Sequence, residues 1–298
     1  MSNAAQGGTA LVMYGKQQIK KLYFKIYDLC DNVRYFVFMI KTLLLSKEKL
    51  SPEPKVFYFA HAGLGNRLRA HLVALYVASN LAMSVAPFWR RNFHCDADIC
   101  DVLELDSMSL LDDSCAQSSV EDLTAIVQVK IHGVKESLFL DRSAQFIPYS
   151  TLKEICSTHF GGRLAQYVRF NAIVRARAKS MPSGEAAIGM HIRRADFART
   201  IETAALVAAV QGMVAKHGVK LVNLFTQGEP QSLVSVLKGC VEGLQVIVVS
   251  SGSNERNAII DSAELICLAG HRLMILTRGS TFSEFAEVYG DPEDVTYI

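Results

Sequence analysis

The second half of the chain alternates short apolar runs with amphipathic patterns, and this alternation constrains the fold more than any other feature. The apolar runs have the length of strands, and the segments between them repeat apolar residues at helical spacing. The runs are 187–192, 220–226, 244–249 and 273–277, and the helical patterns are 202–217, 230–238 and 257–269. Strands separated by amphipathic helices form a parallel sheet that is covered on both faces. The sequence therefore predicts a doubly wound α/β domain here.

The first half begins with a similar pattern after a polar, proline-bearing break at 51–54. Strands are predicted at 56–60, 85–89 and 125–131, a long helix at 66–83, and further helices after Pro148. Met-Pro-Ser-Gly at 181–184 is typical of a hinge between domains. We therefore expect an N-terminal extension (1–50), an N-terminal α/β domain (51–181) and a C-terminal α/β domain (182–298). In doubly wound domains ligands bind at the carboxyl ends of the strands.

Residues 1–50 have the character of a basic amphipathic helix. The first 55 residues carry nine basic and four acidic side chains, whereas the whole chain has a net charge of +2. Such a helix can lie on an anionic membrane surface. A helix packed on the protein and a type II anchor are the alternatives, although the apolar run 35–45 is shorter than the roughly 20 residues of a bilayer span. The remaining chain is acidic overall, which excludes a nucleic-acid-binding profile.

The cysteine pattern bears on the cellular compartment. Seven cysteines at no repeating spacing argue against a disulfide framework. We therefore expect a cytoplasmic protein with peripheral membrane contact through residues 1–50. A Golgi or ER lumenal protein with a type II anchor is the alternative.

The first segment with possible chemistry is 61–69, between a predicted strand and a predicted helix. It contains Gly63, Gly65, Asn66 and Arg67. The two glycines permit a tight turn and a close backbone approach to another group. Leu68 stands where a dinucleotide fingerprint has its third glycine, and no acid near 85–90 could hold a ribose, so NAD is disfavoured. A turn that only packs the helix on the sheet is the alternative.

The second segment is the strand 187–192 followed by Arg193, Arg194 and Asp196. Guanidinium groups bind phosphate oxygens bidentately, so two arginines at the end of a strand suit a diphosphate. Asp196 can orient one of them. A surface ion pair is the alternative.

The third segment, 277–286, again joins a strand to a helix. Its hydroxyl residues Ser280, Thr281 and Ser283 and the free amides at the helix start form a candidate anion site. Thr281 and Glu284 also have the spacing of a capping box, so simple helix capping is the alternative.

Together these segments resemble one protein family. Gly-Leu-Gly-Asn-Arg-Leu, His-Ile-Arg-Arg-x-Asp and Ser-Thr-Phe-Ser-x-x-Ala are similar in order and spacing to motifs of the fucosyltransferase superfamily, which includes α-1,6-fucosyltransferases, nodulation fucosyltransferases and protein O-fucosyltransferases. The resemblance covers residues 55–290. It implies a GT-B fold, in which two Rossmann-like domains face a cleft. It also implies inverting, metal-independent transfer of fucose, or a related sugar, from a GDP-sugar to a glycan or lipid-linked acceptor.

The resemblance also implies roles for individual residues. Arg193 would bind the β-phosphate with support from Arg194, and His191 would lie beside the guanine. Asp261 would read the guanine, since a carboxylate accepts from both its ring N–H and its amine. Residues implied to contact the nucleotide sugar are His191, Arg193, Arg194, Asp261, Ser280, Thr281, Ser283, Gly63, Gly65, Asn66 and Arg67. Glu202 is the candidate base and Asp196 its competitor, and a solvated position in the first turn of a helix is the alternative for Glu202.

One acidic and cysteine-bearing segment resembles a metal site. Asp96 and Asp98 mimic an Asp-x-Asp motif, and His94, Cys95 and Cys100 lack a second pair at zinc spacing. We expect no metal, and no cofactor besides the GDP-fucose donor. The family has a Thr-Asp pair where this chain has Gln-Gly-Glu at 227–229. A non-catalytic nucleotide-sugar or glycan binder is therefore one alternative, and an unrelated nucleotide-dependent α/β enzyme is another.

Overall fold

The computed structural model describes most of the chain after residue 53. The described residues are Val33, Val37, 54–60, 62–89, 91, 95–104, 119–134, 137–162, 164–182, 184, 186–193, 201–226, 230–249 and 257–298. Residues 54–298 form one compact unit and residues 1–53 another. Val33 and Val37 are helical and exposed. No helix in the described part of the chain combines the length and apolar character needed to cross a membrane.

The first sheet contains four strands in the order β2–β1–β4–β3. They are β1 (Lys55–Ala60), β2 (Ser84–Trp89), β3 (Ile131–Val134) and β4 (Ser137–Leu140). Strand β1 is parallel to β2 and β4, and β3 is antiparallel to β4. Helix α1 (Leu64–Asn80) follows β1 and is buried along nearly its whole length. It therefore forms the centre of the core of this half rather than a covering layer.

Short helices complete the first half. They are α2 (Ile99–Val102), α3 (Val120–Val127), a 3₁₀ helix (Arg142–Phe146), α4 (Tyr149–Glu154) with a π-helical turn (Ile155–His159), α5 (Leu164–Tyr167) and α6 (Ala172–Lys179). The predicted strand at 125–131 is wrong, because α3 runs through its first part and β3 begins only at its end.

A capping box explains this difference. The Ser119 hydroxyl accepts from the amide of Asp122 (3.1 Å), and the Asp122 carboxylate accepts from the amide of Ser119 (3.3 Å). Leu123 and Val127 then lie one turn apart and are both buried. Ala125, Ile126 and Val127 thus belong to the end of a capped helix, in which Val127 is buried while Ala125 and Ile126 are exposed.

The second sheet has five parallel strands in the order β7–β6–β5–β8–β9. They are β5 (Ile188–Ile192), β6 (Leu221–Thr226), β7 (Gln245–Val248), β8 (Leu273–Leu276) and β9 (Asp294–Tyr297), with helices α7 (Thr203–His217), α8 (Gln231–Cys240), α9 (Ala258–Ala269) and α10 (Thr281–Gly290). The four predicted strands are present, and β9 is an additional edge strand. The predicted division at 181/182 stays a prediction.

The strand order defines where a ligand can bind. From the central β5 the chain proceeds outward through β6 and β7, then returns to β8 on the other side of β5. Such a reversal leaves a crevice at the carboxyl ends of the two central strands. Arg193 follows β5 and Thr277 follows β8. The topology therefore places the second and third sequence segments side by side.

Gly65 brings the first segment to the same region. A Cβ added to Gly65 would lie 2.7 Å from the carbonyl carbon of Thr281 and 2.8 Å from its carbonyl oxygen. Contacts this short do not occur for real side chains, so only glycine allows α1 to approach the start of α10 this closely. The sequence predicted that the glycine turn approaches another group closely. At Gly65 that group is the backbone of α10.

We expect Gly65→Ala to lower the free energy of unfolding by about 1 to 3 kcal/mol, because the methyl group forces α1 and α10 apart. Urea denaturation measures this loss. Gly212→Ala is the matched control: its added Cβ in α7 meets no atom within 4 Å, and it should stabilise the helix by about 0.5 to 1 kcal/mol. Equal effects of the two substitutions would contradict the tight contact.

Candidate functional site

His191 connects the second segment to the third. Its Nδ1 lies 2.7 Å from the Ser283 hydroxyl, and its ring packs on Phe282 with centroids 4.8 Å apart. Burial, together with the neighbouring Arg193 charge, lowers the pKa of His191 to about 3. The imidazole is therefore neutral near pH 7. With its proton on Nε2, it can accept the Ser283 hydroxyl at Nδ1.

Thr277 fixes the backbone from which Arg193 projects. The buried Thr277 hydroxyl donates to the carbonyl of His191 (2.8 Å) and accepts from the amide of Arg193 (3.1 Å). This pair of bonds ties the end of β5 to the end of β8. Thr277 was not among the candidate site residues, although its place at the end of a predicted strand was a usable signal.

The start of α10 is capped by a serine of the third segment. Ser280 is the N-cap: its hydroxyl accepts from the Ser283 amide (3.4 Å) and its carbonyl from the Glu284 amide (2.9 Å). The predicted Thr281–Glu284 capping box is therefore wrong. Within the described residues, the amides of Thr281 and Phe282 have no hydrogen-bond partner. These donors, at the positive end of the helix dipole, form the candidate anion site.

A buried ion pair holds α10 against α1. The Arg69 guanidinium contacts the Glu284 carboxylate through Nη2 and donates through Nη1 to the carbonyl of Ile147 (3.1 Å). Only 6% of the Arg69 side chain and 12% of the Glu284 side chain are exposed. Burial lowers the pKa of Arg69 to about 10, so the group stays charged. The carboxylate that was expected to cap α10 is therefore engaged in joining the two halves of the unit.

A second carboxylate anchors α10 near its other end. Glu287 accepts from the ammonium of Lys153 (3.0 Å) and from the hydroxyl of Tyr297. Burial is the main cause that raises the pKa of Tyr297. Helix α10 therefore contacts α1, α4 and β9 through charged and polar side chains.

The remaining residues of the glycine segment occupy different surroundings. Gly63 is the N-cap of α1, and its carbonyl accepts from the Arg67 amide (3.1 Å). Arg67 is fully buried: its Nε donates to the carbonyl of Ala62 (2.6 Å), and the guanidinium lies 5.4 Å from the ring centroid of Trp89. This placement favours a structural role for Arg67. Asn66 is half-buried, and its Oδ1 has no hydrogen-bond partner among the described residues.

Asp261 and Glu202 lie at the starts of two other helices. Asp261 is in the first turn of α9, where its amide donates to the Asn257 carbonyl (2.8 Å), and it is partly exposed. Glu202 is exposed and occupies the N-cap position of α7 rather than its first turn. Arg194 and Asp196 lie outside the described residues, as do His94 and 227–229.

The Asp-x-Asp segment is used to start helices. Asp96 accepts from the Ala258 amide (2.7 Å) and so joins the first half to α9. Asp98 precedes α2 and pairs with Arg91 (3.2 Å). Within the described part of the chain, no group of three or more His, Cys, Asp or Glu side chains is arranged to hold a metal ion. These contacts account for both carboxylates of the motif.

Comparison with known proteins finds relatives of the fold among solved structures. No family model and no curated protein matches the sequence. Solved structures of fucosyltransferases do match. POFUT1 in complex with GDP aligns with a TM-score of 0.54 at 11% identity, over 84% of this chain and 99% of that one. NodZ α-1,6-fucosyltransferase co-crystallised with GDP gives 0.50 at 16% identity, over 80% and 92%.

A third solved structure supports the same fold. A variant of Arabidopsis thaliana FUT1 in complex with GDP aligns with a TM-score of 0.51 at 14% identity, over 87% of this chain and 73% of that one. The chain therefore has the GT-B-like fold of fucosyltransferases. The α/β architecture implied by the three motifs is confirmed at the level of the fold.

Removing one partner of the α1–α10 ion pair should be costly. We expect Arg69→Met or Glu284→Leu alone to lower the free energy of unfolding by about 3 to 5 kcal/mol, because each leaves an uncompensated buried charge. The double variant should lose less than the sum of the two. A double-mutant cycle in urea measures the coupling, and additive losses would show that the pair does not couple the helices.

The depressed pKa of His191 predicts a pH dependence of stability. As the pH falls below about 6.5, His191 becomes protonated in the unfolded chain, whereas in the native protein it stays neutral down to about pH 3. The free energy of unfolding therefore decreases. We expect the wild type to lose about 1 to 2 kcal/mol more than His191→Asn between pH 7 and pH 5. Urea denaturation at both pH values tests this. Parallel losses in the two proteins would mean that His191 protonates freely in the native state.

Proposed function

We propose that this protein is a glycosyltransferase that moves fucose, or a related sugar, from a GDP-sugar to a glycan or lipid-linked acceptor with inversion and without a metal. One observation carries the proposal. Arg193, the neutral His191 and the amino terminus of α10 converge at the crevice of the second sheet. Crevices at this position bind nucleotides in doubly wound sheets. GDP is bound in the fucosyltransferase structures of the same fold.

The leaving group of such a reaction is a nucleoside diphosphate, whose negative charge must be stabilised. The Arg193 guanidinium would supply fixed positive charge, and the unpartnered amides of Thr281 and Phe282 would supply oriented donors. Thr277 holds the Arg193 backbone through its amide, which limits reorganisation during the reaction. Preorganised groups of this kind lower the barrier without help from a metal.

Two carboxylates have proposed roles in recognition and proton transfer. Asp261, which is partly exposed in the first turn of α9, would accept from the ring N–H and the exocyclic amine of guanine, and His191 would lie beside the base. Glu202, at the exposed start of α7, would accept the proton of the acceptor hydroxyl, with Asp196 as its competitor.

Residues 1–50 would bring this cytoplasmic enzyme to the membrane.

Arg193 provides the test of nucleotide binding. A ligand that binds the native state stabilises it more the more tightly it binds. Because the proposed donor is a GDP-sugar, we expect GDP to raise the melting temperature of the wild type more than UDP, ADP or NAD. Arg193→Ala should abolish this shift, and Arg193→Lys should restore little, since a point charge does not reproduce the guanidinium fork. Arg272→Ala is the control, because Arg272 precedes β8 at the opposite end of the sheet. A GDP shift that survives in Arg193→Ala would reject the site.

Turnover distinguishes a transferase from a binder. Release of GDP from GDP-fucose, measured against a panel of glycan and lipid-linked acceptors, should require Arg193 and Glu202. GDP binding without release on any acceptor would support the non-catalytic alternative. Stabilisation by ADP or NAD instead of GDP would support an unrelated nucleotide-dependent enzyme.

A further inference from the structure

One segment of the first half has a charge distribution that the proposed function does not use. Residues 155–184 contain five basic side chains and no acidic one. The basic residues are Arg163, Arg169, Arg175, Arg177 and Lys179. The chain after residue 55 has a net charge of −3, which is the total of +2 less the +5 of the first 55 residues. The segment is therefore a basic exception in an otherwise acidic body.

Helix α6 displays this charge together with an apolar side chain. Ile173 is 66% exposed, the highest value among the large apolar side chains in the described part of the chain. Arg177 lies one turn further on the same face and is exposed, as is Lys179. Neither cation forms an ion pair within the described residues, whereas Arg175 pairs with Glu104 (2.7 Å). Lys179 is two positions beyond Arg177 and projects from another side of the helix. We call the exposed surface that carries Ile173, Arg177 and Lys179 the outer face of α6.

Ordinary surface effects explain only part of this arrangement. Cations in the last turn of a helix interact favourably with its dipole, which accounts for Arg177 and Lys179. The dipole does not account for an isoleucine that stays two-thirds in water in the first turn beside them. The opposite face of α6 is firmly held, since Val174 is fully buried and α6 packs against α9. The outer face is thus presented on a rigid support.

We propose that the outer face of α6 is a docking surface for an anionic phospholipid membrane. Interfacial helices combine an inserted apolar side chain with flanking cations, and each cation near an anionic surface contributes about 1 kcal/mol. A nucleic acid would satisfy the cations but would leave Ile173 in water, so a lipid surface fits the observations better. The inference does not depend on GDP-sugar binding. It gives the compact unit a membrane contact of its own, separate from residues 1–50.

Vesicle binding by the full-length protein tests this surface. We expect the triple variant I173S/R177E/K179E to bind vesicles of phosphatidylcholine with phosphatidylglycerol at least tenfold more weakly than the wild type, since two reversed charges and one lost apolar contact each reduce affinity. The matched control is I247S/K220E/K238E, which makes the same changes at exposed positions of β7, α8 and the loop before β6. The control should bind within twofold of the wild type. Equal losses in both variants would overturn the proposal.

A local probe keeps the test decisive if residues 1–50 dominate the affinity. Trp89, the single tryptophan, is buried, so a tryptophan introduced at an exposed position reports its own surroundings. Emission from Ile173→Trp should shift to the blue when anionic vesicles are added, and emission from Ile247→Trp should not. An unshifted Ile173→Trp spectrum on bound vesicles would refute membrane contact. A shift with an RNA duplex but not with vesicles would assign the surface to nucleic acid instead.

Discussion

The position of α10 is the constraint on which the candidate site depends, and the Arg69–Glu284 ion pair is the most deeply buried of the ion pairs that hold this helix. Both charges are nearly buried, so neither is stable without the other. The absence of a side chain at Gly65 lets α1 approach the backbone of Thr281 closely. Because α10 presents its first amides to the crevice, the geometry of the anion site is determined by a helix of the opposite half.

The second sheet supplies the other side of the crevice through its strand order. Strands β5 and β8 are neighbours in space but lie on either side of two βα units in the chain. The Thr277 hydroxyl holds the backbone amide of Arg193 across this pair of strands. The Ser283 hydroxyl holds the imidazole of His191. Each group of the candidate site is therefore held by a partner from another element. A shift of α10 would move the amides and the His191 contact together.

Local patterns predicted the elements of this fold better than they predicted its contacts. Runs of apolar residues identified β5, β6, β7 and β8, although β7 is partly exposed, whereas β9 contains Asp294 and is a half-buried edge strand with no clear period. The strand predicted at 125–131 was wrong because a short apolar run fits a strand and a helix equally well until the N-cap of the helix is recognised. Arg69 and Glu284 are 215 residues apart, and a pairing at that distance leaves no periodic signal. Arg67 belongs to a motif that resembles a ligand site. Its burial could not be predicted from that motif, because burial depends on the packing of the whole core.

The protonation state of His191 bears on how the proposed diphosphate site would depend on pH. His191 is neutral because burial and Arg193 both oppose its protonation, so its contact with Ser283 does not change near neutral pH. The positive potential comes instead from a guanidinium, which stays charged, and from backbone amides, which do not titrate. A protonated His191 would repel Arg193 and lose its acceptor at Nδ1. Because the imidazole stays neutral and the guanidinium stays charged, neither the contact with Ser283 nor the positive charge of the crevice changes with pH near neutrality.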